Sequence, residues 1–196
     1  MASSPTVLEE GAASAAARTP SGAAAGDREA RKIALVRAHL KPVWGFLRRL
    51  GLSPADAEDA GQEVLLTAVR KMDAIIEGQE KRFVFGIAVR VASHRRRATR
   101  SFTSRAVDMD LDACQASGPS SDELVERREA LALLDRALAT LNEEMRTVFV
   151  LYELEEMSMA EIAAVLDVPA GTVASRLRRG REQFQKATRR LQSRES

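Results

Sequence analysis

The chain has 196 residues, of which 30% are charged and 4% aromatic, with a formal net charge of +2 and a single cysteine. That length suits one ordinary domain or two small helical ones, and the abundance of Ala, Leu, Arg and Glu, which lose little side-chain entropy in a helix, points to an all-α fold. No apolar run approaches the roughly 18 to 20 residues of a membrane helix, and the alanine-rich start lacks a basic signal region, so neither insertion nor export is expected.

Residues 1–26, "MASSPTVLEEGAASAAARTPSGAAAG", are small, polar and broken by Pro and Gly, and read as a disordered tail. From Asp27 the pattern turns helical: Ile33, Val36, Leu40, Val43, Trp44 and Leu47 recur at three- and four-residue steps up to Gly51. Ser53 can cap the next helix with Pro54 at its first position. That helix turns Ala60, Val64, Leu65 and Ala68 inward and leaves Asp56, Asp59, Gln62 and Glu63 along one flank. A third helix, "KRFVFGIAVRVASHRRR", passes from apolar to basic along its length.

The periodicity then stops. Residues 106–121 are acidic and tipped with Gly, Pro and Ser, as expected of a linker. Cys114 lies there without ligand-spaced neighbours or a nearby cation, which fits an incidental thiol in a reducing cytoplasm better than a redox sensor. Helical spacing resumes with a capping box of Ser120 and Glu123 and a stripe of Leu124, Leu131, Leu134, Leu138 and Leu141. Asn142 can cap a further helix, with Glu143 and Glu144 against its N-terminal dipole and Met145, Val148, Phe149 and Tyr152 on its inner face. The expected order is a tail, a three- or four-helix domain over 27–105, a linker over 106–121 and a four-helix domain over 122–192.

The stretch "SMAEIAAVLDVPAGTVASRLRRGR" has the layout of a helix-turn-helix. Ser158 and Glu161 form a capping box, Ile162, Ala163 and Leu166 face inward, and Asp167 stands where a left-handed turn is needed. Pro169 suits the first position of the second helix, whose Val173, Leu177 and Phe184 point inward and whose Thr172, Ala174, Ser175, Arg176, Arg178 and Arg179 point outward. Such a helix enters the major groove, where Arg can make two hydrogen bonds to guanine, so Arg176 and Arg179 lead the candidates for nucleic-acid contact. Basic residues gather in two blocks, Arg95 to Arg105 and Arg176 to Arg194, matching two surfaces for a polyanion; solvated helix faces are the bland alternative.

"LNEEMRTVFVLYELEEMSMAEIAAVLDVPAGTVASRLRRGREQF" resembles the C-terminal promoter-reading domain of extracytoplasmic-function sigma factors of the sigma-70 family. Part of it also looks like a LuxR-type regulator domain, but "LGLSPADAEDAGQEVLLTAVRKM" with "RFVFGIAVRVASHRRR" is similar to the sigma domain that holds core polymerase and opens the promoter. The resemblance implies a non-enzymatic bacterial, cytoplasmic specificity subunit that needs no cofactor. Its implied partners are core RNA polymerase through the largest-subunit clamp and the flap, promoter DNA, and a cognate anti-sigma factor. Asp56, Asp59, Gln62 and Glu63 would meet the clamp. Phe83, Arg90, His94, Arg95, Arg96, Arg97 and Arg100 would serve the −10 element, with Phe83 in place of the usual Trp and Arg90 in place of a common Asn, a change that predicts an altered −10 preference. Thr172, Ser175, Arg176, Arg178 and Arg179 would serve the −35 element, where Ala174 replaces a common Lys and Asp167 the usual Gly. The acidic linker, with Asp108, Asp110 and Asp112, resembles the family segment that runs toward the RNA path, and is equally consistent with a plain solvated connection. A stand-alone regulator is the alternative; a recombinase-like enzyme would need a stranded catalytic domain that this composition does not offer.

Overall fold

The computed structural model describes residues 22–102 and 121–195. Within it lie α1 (Gly22–Arg49), α2 (Pro54–Arg70), a 3-10 turn (Met72–Ala74) and α3 (Glu80–Phe102), followed by α4 (Ser121–Ala139), α5 (Glu143–Phe149), a π-type turn (Val150–Leu154), α6 (Met159–Leu166) and α7 (Ala170–Glu195). Cys114, Arg105, the linker aspartates and the Ser120 cap lie outside the described residues, as does the side chain of Arg100.

In the first half α1 packs on α2 and α2 on α3. The α2 stripe sits where its spacing places it, with Ala60, Val64, Leu65 and Ala68 buried. Ser53 caps α2 by accepting the Asp56 N–H at 3.1 Å, and Pro54 occupies the first turn, where its missing N–H costs nothing. Phe46 of α1 meets Phe85 of α3 edge-on at 5.1 Å, and both are fully buried.

The α1 expectation needs correcting in two respects. The helix begins at Gly22 rather than Asp27, across an alanine run of high helix propensity. Its inner face also lies elsewhere in the first half, since Ile33 is 45% and Leu40 52% exposed while Leu35 is buried. The reason is tertiary: that part of α1 is covered by Met72 and Ile75, which share a small cavity with Leu35, Ala38 and His39. The covered face is therefore rotated from the stripe that spacing alone selects.

In the second half α4, α5 and α6 all pack against α7. Asn142 caps α5 by accepting the Met145 N–H at 2.9 Å, and Phe149 stacks on Phe184 at 4.8 Å. Leu131 of the α4 stripe is 45% exposed, whereas Leu138 and Leu141 are buried. After α5 the helix widens, its Glu155 N–H reaching the Val150 carbonyl at 3.0 Å, and Glu156 takes a left-handed φ of 53° before the buried Met157.

The halves are joined by more than a linker. Buried residues from both form one hydrophobic cluster, and α3 packs against α6, where a Cβ on Gly86 would come within 3.9 Å of Val165. Lys81 of α3 donates to the Glu155 carbonyl, and Arg96 donates to the Leu50 carbonyl at 3.0 Å while pairing with Glu143 at 3.1 Å. At Gly51 the backbone φ is +93°, a left-handed conformation that favours glycine, and the Arg146 guanidinium of the second half lies close beside it. Burial at the seam pushes the Asp135 and Glu155 carboxyls above their usual range, and Arg49 opposes the shift at both.

Candidate nucleic-acid interface

The helix-turn-helix forms as its caps dictate. Ser158 accepts the Glu161 N–H at 3.3 Å while Glu161 accepts the Ser158 N–H at 2.9 Å, a reciprocal capping box. The Ser158 hydroxyl, donating to the Glu161 carboxylate at 2.7 Å, and the Ser158 backbone N–H together hold that carboxyl below its usual pKa. At the turn Asp167 adopts φ 53° and ψ 50°, the left-handed conformation expected of it, and the Val168 N–H returns to the Ala163 carbonyl at 3.1 Å. Pro169 stands one position earlier than expected: the helix proper begins at Ala170, and the Pro169 carbonyl accepts the Thr172 N–H at 2.9 Å. Ile162, Val173 and Leu177 are buried where the two helices cross.

A β-branched residue cannot take the left-handed turn without strain. Asp167→Val is therefore expected to lower stability by about 1 to 2 kcal/mol, whereas Asp167→Gly stays within about 0.5 kcal/mol, read from urea midpoints. Equal losses for both would place the role of Asp167 in its carboxylate rather than in its backbone.

The outward face of α7 divides into two sides. Arg176, next to Glu144 at 2.8 Å, faces α5 and lines a cleft of 410 Å³ with Arg90, Ser93 and Arg97 of α3. Arg178 and Ala174 lie on the other side with Met159, and Arg178 pairs with Glu182 at 2.7 Å. Thr172 and Ser175 are half-buried, with the Ser175 hydroxyl donating to the Thr172 carbonyl at 2.9 Å, and Arg179 is exposed. Thr172, Arg176 and Arg179 thus form one stripe at helical spacing, from which Arg178 is set apart.

On α3, Arg90, His94 and Arg97 are exposed, and Phe83 is partly buried against the core. Arg95 pairs with Glu63 of α2 at 3.1 Å. Arg96 departs from the row of exposed phosphate contacts expected of it, its side chain being only 15% exposed.

Asp56, Asp59, Gln62 and Glu63 are all exposed on α2. The sequence reading missed Leu66, one turn further along and 55% exposed. Its signal was available: within "EVLLTAV", Leu66 falls off the face marked by Ala60, Val64 and Ala68. Among the described residues no helix is long and apolar enough to cross a membrane, and no cluster of His, Cys, Asp or Glu is arranged to hold a metal ion.

Comparison with known proteins adds to this geometry. The family model "Sigma-70 region 2" matches residues 35–102, and "Sigma-70, region 4" matches residues 131–184. The chain is 31% identical over 150 residues to the ECF RNA polymerase sigma factor SigE of Mycolicibacterium smegmatis, a match covering 76% of this chain and 58% of that protein. It is 30% identical over 168 residues to the ECF RNA polymerase sigma-E factor of Escherichia coli K12, covering 80% of this chain and 85% of that one. In fold it is similar to the sigma factor RpoE in complex with the anti-sigma factor NepR from Bartonella quintana, with a TM-score of 0.61 and 24% identity over 79% of this chain and 94% of that chain.

Proposed function

The chain belongs to the extracytoplasmic-function sigma factors of the sigma-70 family, non-enzymatic factors of transcription initiation, and from that membership we propose how its surfaces divide the work. The observation that carries the reading is a capped helix-turn-helix presenting Thr172, Arg176 and Arg179 on one stripe, following a first domain whose α2 displays an exposed acidic flank. The α7 stripe reads the −35 element, with arginine bound to guanine edges or to phosphate. The basic end of α3, with Arg90, His94, Arg95, Arg96, Arg97 and Arg100, grips the −10 region largely through phosphates, a salt-sensitive and sequence-independent term. Phe83, in the first turn of the same helix, is partly buried against the core.

On α2, Asp56, Asp59, Gln62 and Glu63 meet the clamp of the largest polymerase subunit, with Leu66 as the apolar anchor among them. Charged residues at a rim guide association, whereas an exposed leucine loses its water only in the complex. A factor that acts on core polymerase is expected to work where the polymerase does, in the cytoplasm. The likeness to a sigma factor solved with an anti-sigma factor supports a partner of that kind here as well.

In vitro transcription with purified core polymerase and a candidate promoter tests the reading. A transcript dependent on this protein is expected; no transcript together with no co-purification of core would overturn it. Leu66→Glu is expected to weaken core binding about tenfold or more with the fold intact by circular dichroism, since a charge would then be desolvated at the contact. Retained core affinity would move the clamp surface off this face of α2.

A further inference from the structure

The basic block at the end of the chain runs well past the residues given to promoter contact above. The region 4 match stops at residue 184, yet α7 continues to Glu195, and between Gln183 and Ser193 it carries Lys186, Arg189 and Arg190 with no acidic residue. A helix C-terminus attracts cations, but that effect is confined to the last turn, and Lys186 and Arg190 lie before it.

Spacing ties two of these cations to the reader. From Thr172 the steps of four and three residues that give Arg176 and Arg179 continue through Gln183 to Lys186 and Arg190, so all six fall on one stripe of the helix. Lys186 and Arg190 are exposed, and among the described residues neither has a carboxylate within ion-pair distance, whereas Arg176, Arg178 and Arg181 pair with Glu144, Glu182 and Glu153. This part of α7 is also held in place. Ala187 is buried, α4 packs against α7, and Gln183 donates its amide to the Thr140 carbonyl at 2.6 Å, so that Thr140, Gln183, Lys186 and Arg190 line an open groove of 640 Å³.

The dimensions favour duplex DNA as the occupant. A helix rises about 1.5 Å per residue, so Thr172 to Arg179 spans roughly 10 Å, close to the ~12 Å width of a major groove. Arg190 lies roughly 16 Å beyond Arg179, so the stripe leaves the groove and meets the sugar–phosphate backbone at its edge.

We propose that Lys186 and Arg190 form a second DNA contact, a sequence-independent grip on phosphates bordering the −35 element that steadies the reading end of α7 in its groove. This rests on the promoter-binding reading given above and extends it to a part of α7 that reads no base. Each phosphate neutralised by such a cation releases counterions and adds affinity without sequence preference. Arg189, one position away, points to another side of the helix and takes no part.

The test uses holoenzyme reconstituted from the full chain and core polymerase, with anisotropy of a labelled promoter across a salt series. Lys186→Ala with Arg190→Ala is expected to weaken binding about five- to twentyfold and to make the dependence of log affinity on log salt shallower by about 2, near one for each phosphate lost. The loss should be equal on a promoter with a substituted −35 element, so that selectivity is retained. Arg189→Ala is expected to change affinity by less than about twofold and to keep the parent's slope. A double variant with the parent's slope, equal effects of Arg189→Ala and Arg190→Ala, or a loss of −35 selectivity would overturn the phosphate grip. A matching loss of affinity for core polymerase without DNA would overturn it too, by making this surface a protein contact. The promoter-binding reading fails separately, if Arg176→Ala and Arg179→Ala leave promoter affinity and −35 selectivity as they were.

Discussion

Replacing Arg176 by alanine is expected to cost about 1 to 3 kcal/mol in promoter binding by the holoenzyme, with a similar loss for Arg179→Ala. Both side chains lie on the stripe that starts at Thr172, and a guanidinium placed at a guanine makes two hydrogen bonds that no other base accepts equally well. Arg176 must leave Glu144 to do so. That exchange is inexpensive because the Glu144 side chain is 64% exposed, and exposed pairs contribute little. Arg178→Ala is expected to cost less than either, because Arg178 lies on the far side of α7 beside Glu182. Anisotropy of a labelled promoter with reconstituted holoenzyme, repeated across a salt series, measures all three. Unchanged −35 selectivity in both Arg176→Ala and Arg179→Ala would mean that another face of α7 enters the groove.

Phe85→Ala is expected to destabilise the protein by about 3 to 5 kcal/mol. Phe85 is fully buried, and its ring meets the equally buried Phe46 at an interplanar angle of 87°, so truncation removes an edge-to-face contact and leaves a cavity between α1 and α3. Stability of such domains totals only about 5 to 15 kcal/mol, so the variant should lose much of its margin and with it the surface that α2 presents. Ile33→Ala and Leu40→Ala are the matched contrast. Both belong to the periodic stripe of α1, yet both are exposed, and each should stay within about 0.5 kcal/mol. Urea unfolding of the four proteins decides the matter: a loss at Ile33 or Leu40 comparable to that at Phe85 would mean that a second surface covers α1 in solution.

These contrasts show where local reading succeeds. The caps at Ser53, Asn142 and Ser158 and the left-handed turn at Asp167 sit where the residue types place them, because each is a contact between neighbours two to four positions apart. The same holds for the buried faces of α2 and of the helix-turn-helix, whose partner helices cover the stripe that periodicity marks. On α1 the covering group is the turn at Met72 to Ile75, which no spacing within α1 could announce. Leu66 differs: the helical spacing of Ala60, Val64 and Ala68 already leaves it off the inner face, so its exposure was legible within α2 itself.

By itself the sequence determined most of the helices and their caps, which follow from side-chain entropy, local hydrogen bonding and periodicity over a few turns, while the order of the two sigma domains was legible only through the likeness of their motifs to the family. Only the tertiary structure decided which arginines stand together. Arg176 and Arg178 are equivalent as charges on one helix, but α5 and α3 lie beside the first and not the second. Arg96 looks like its neighbours in "HRRR" until Leu50 and Glu143 close over it. Such differences arise from groups tens of residues away, and only when the two halves dock do they acquire a physical meaning.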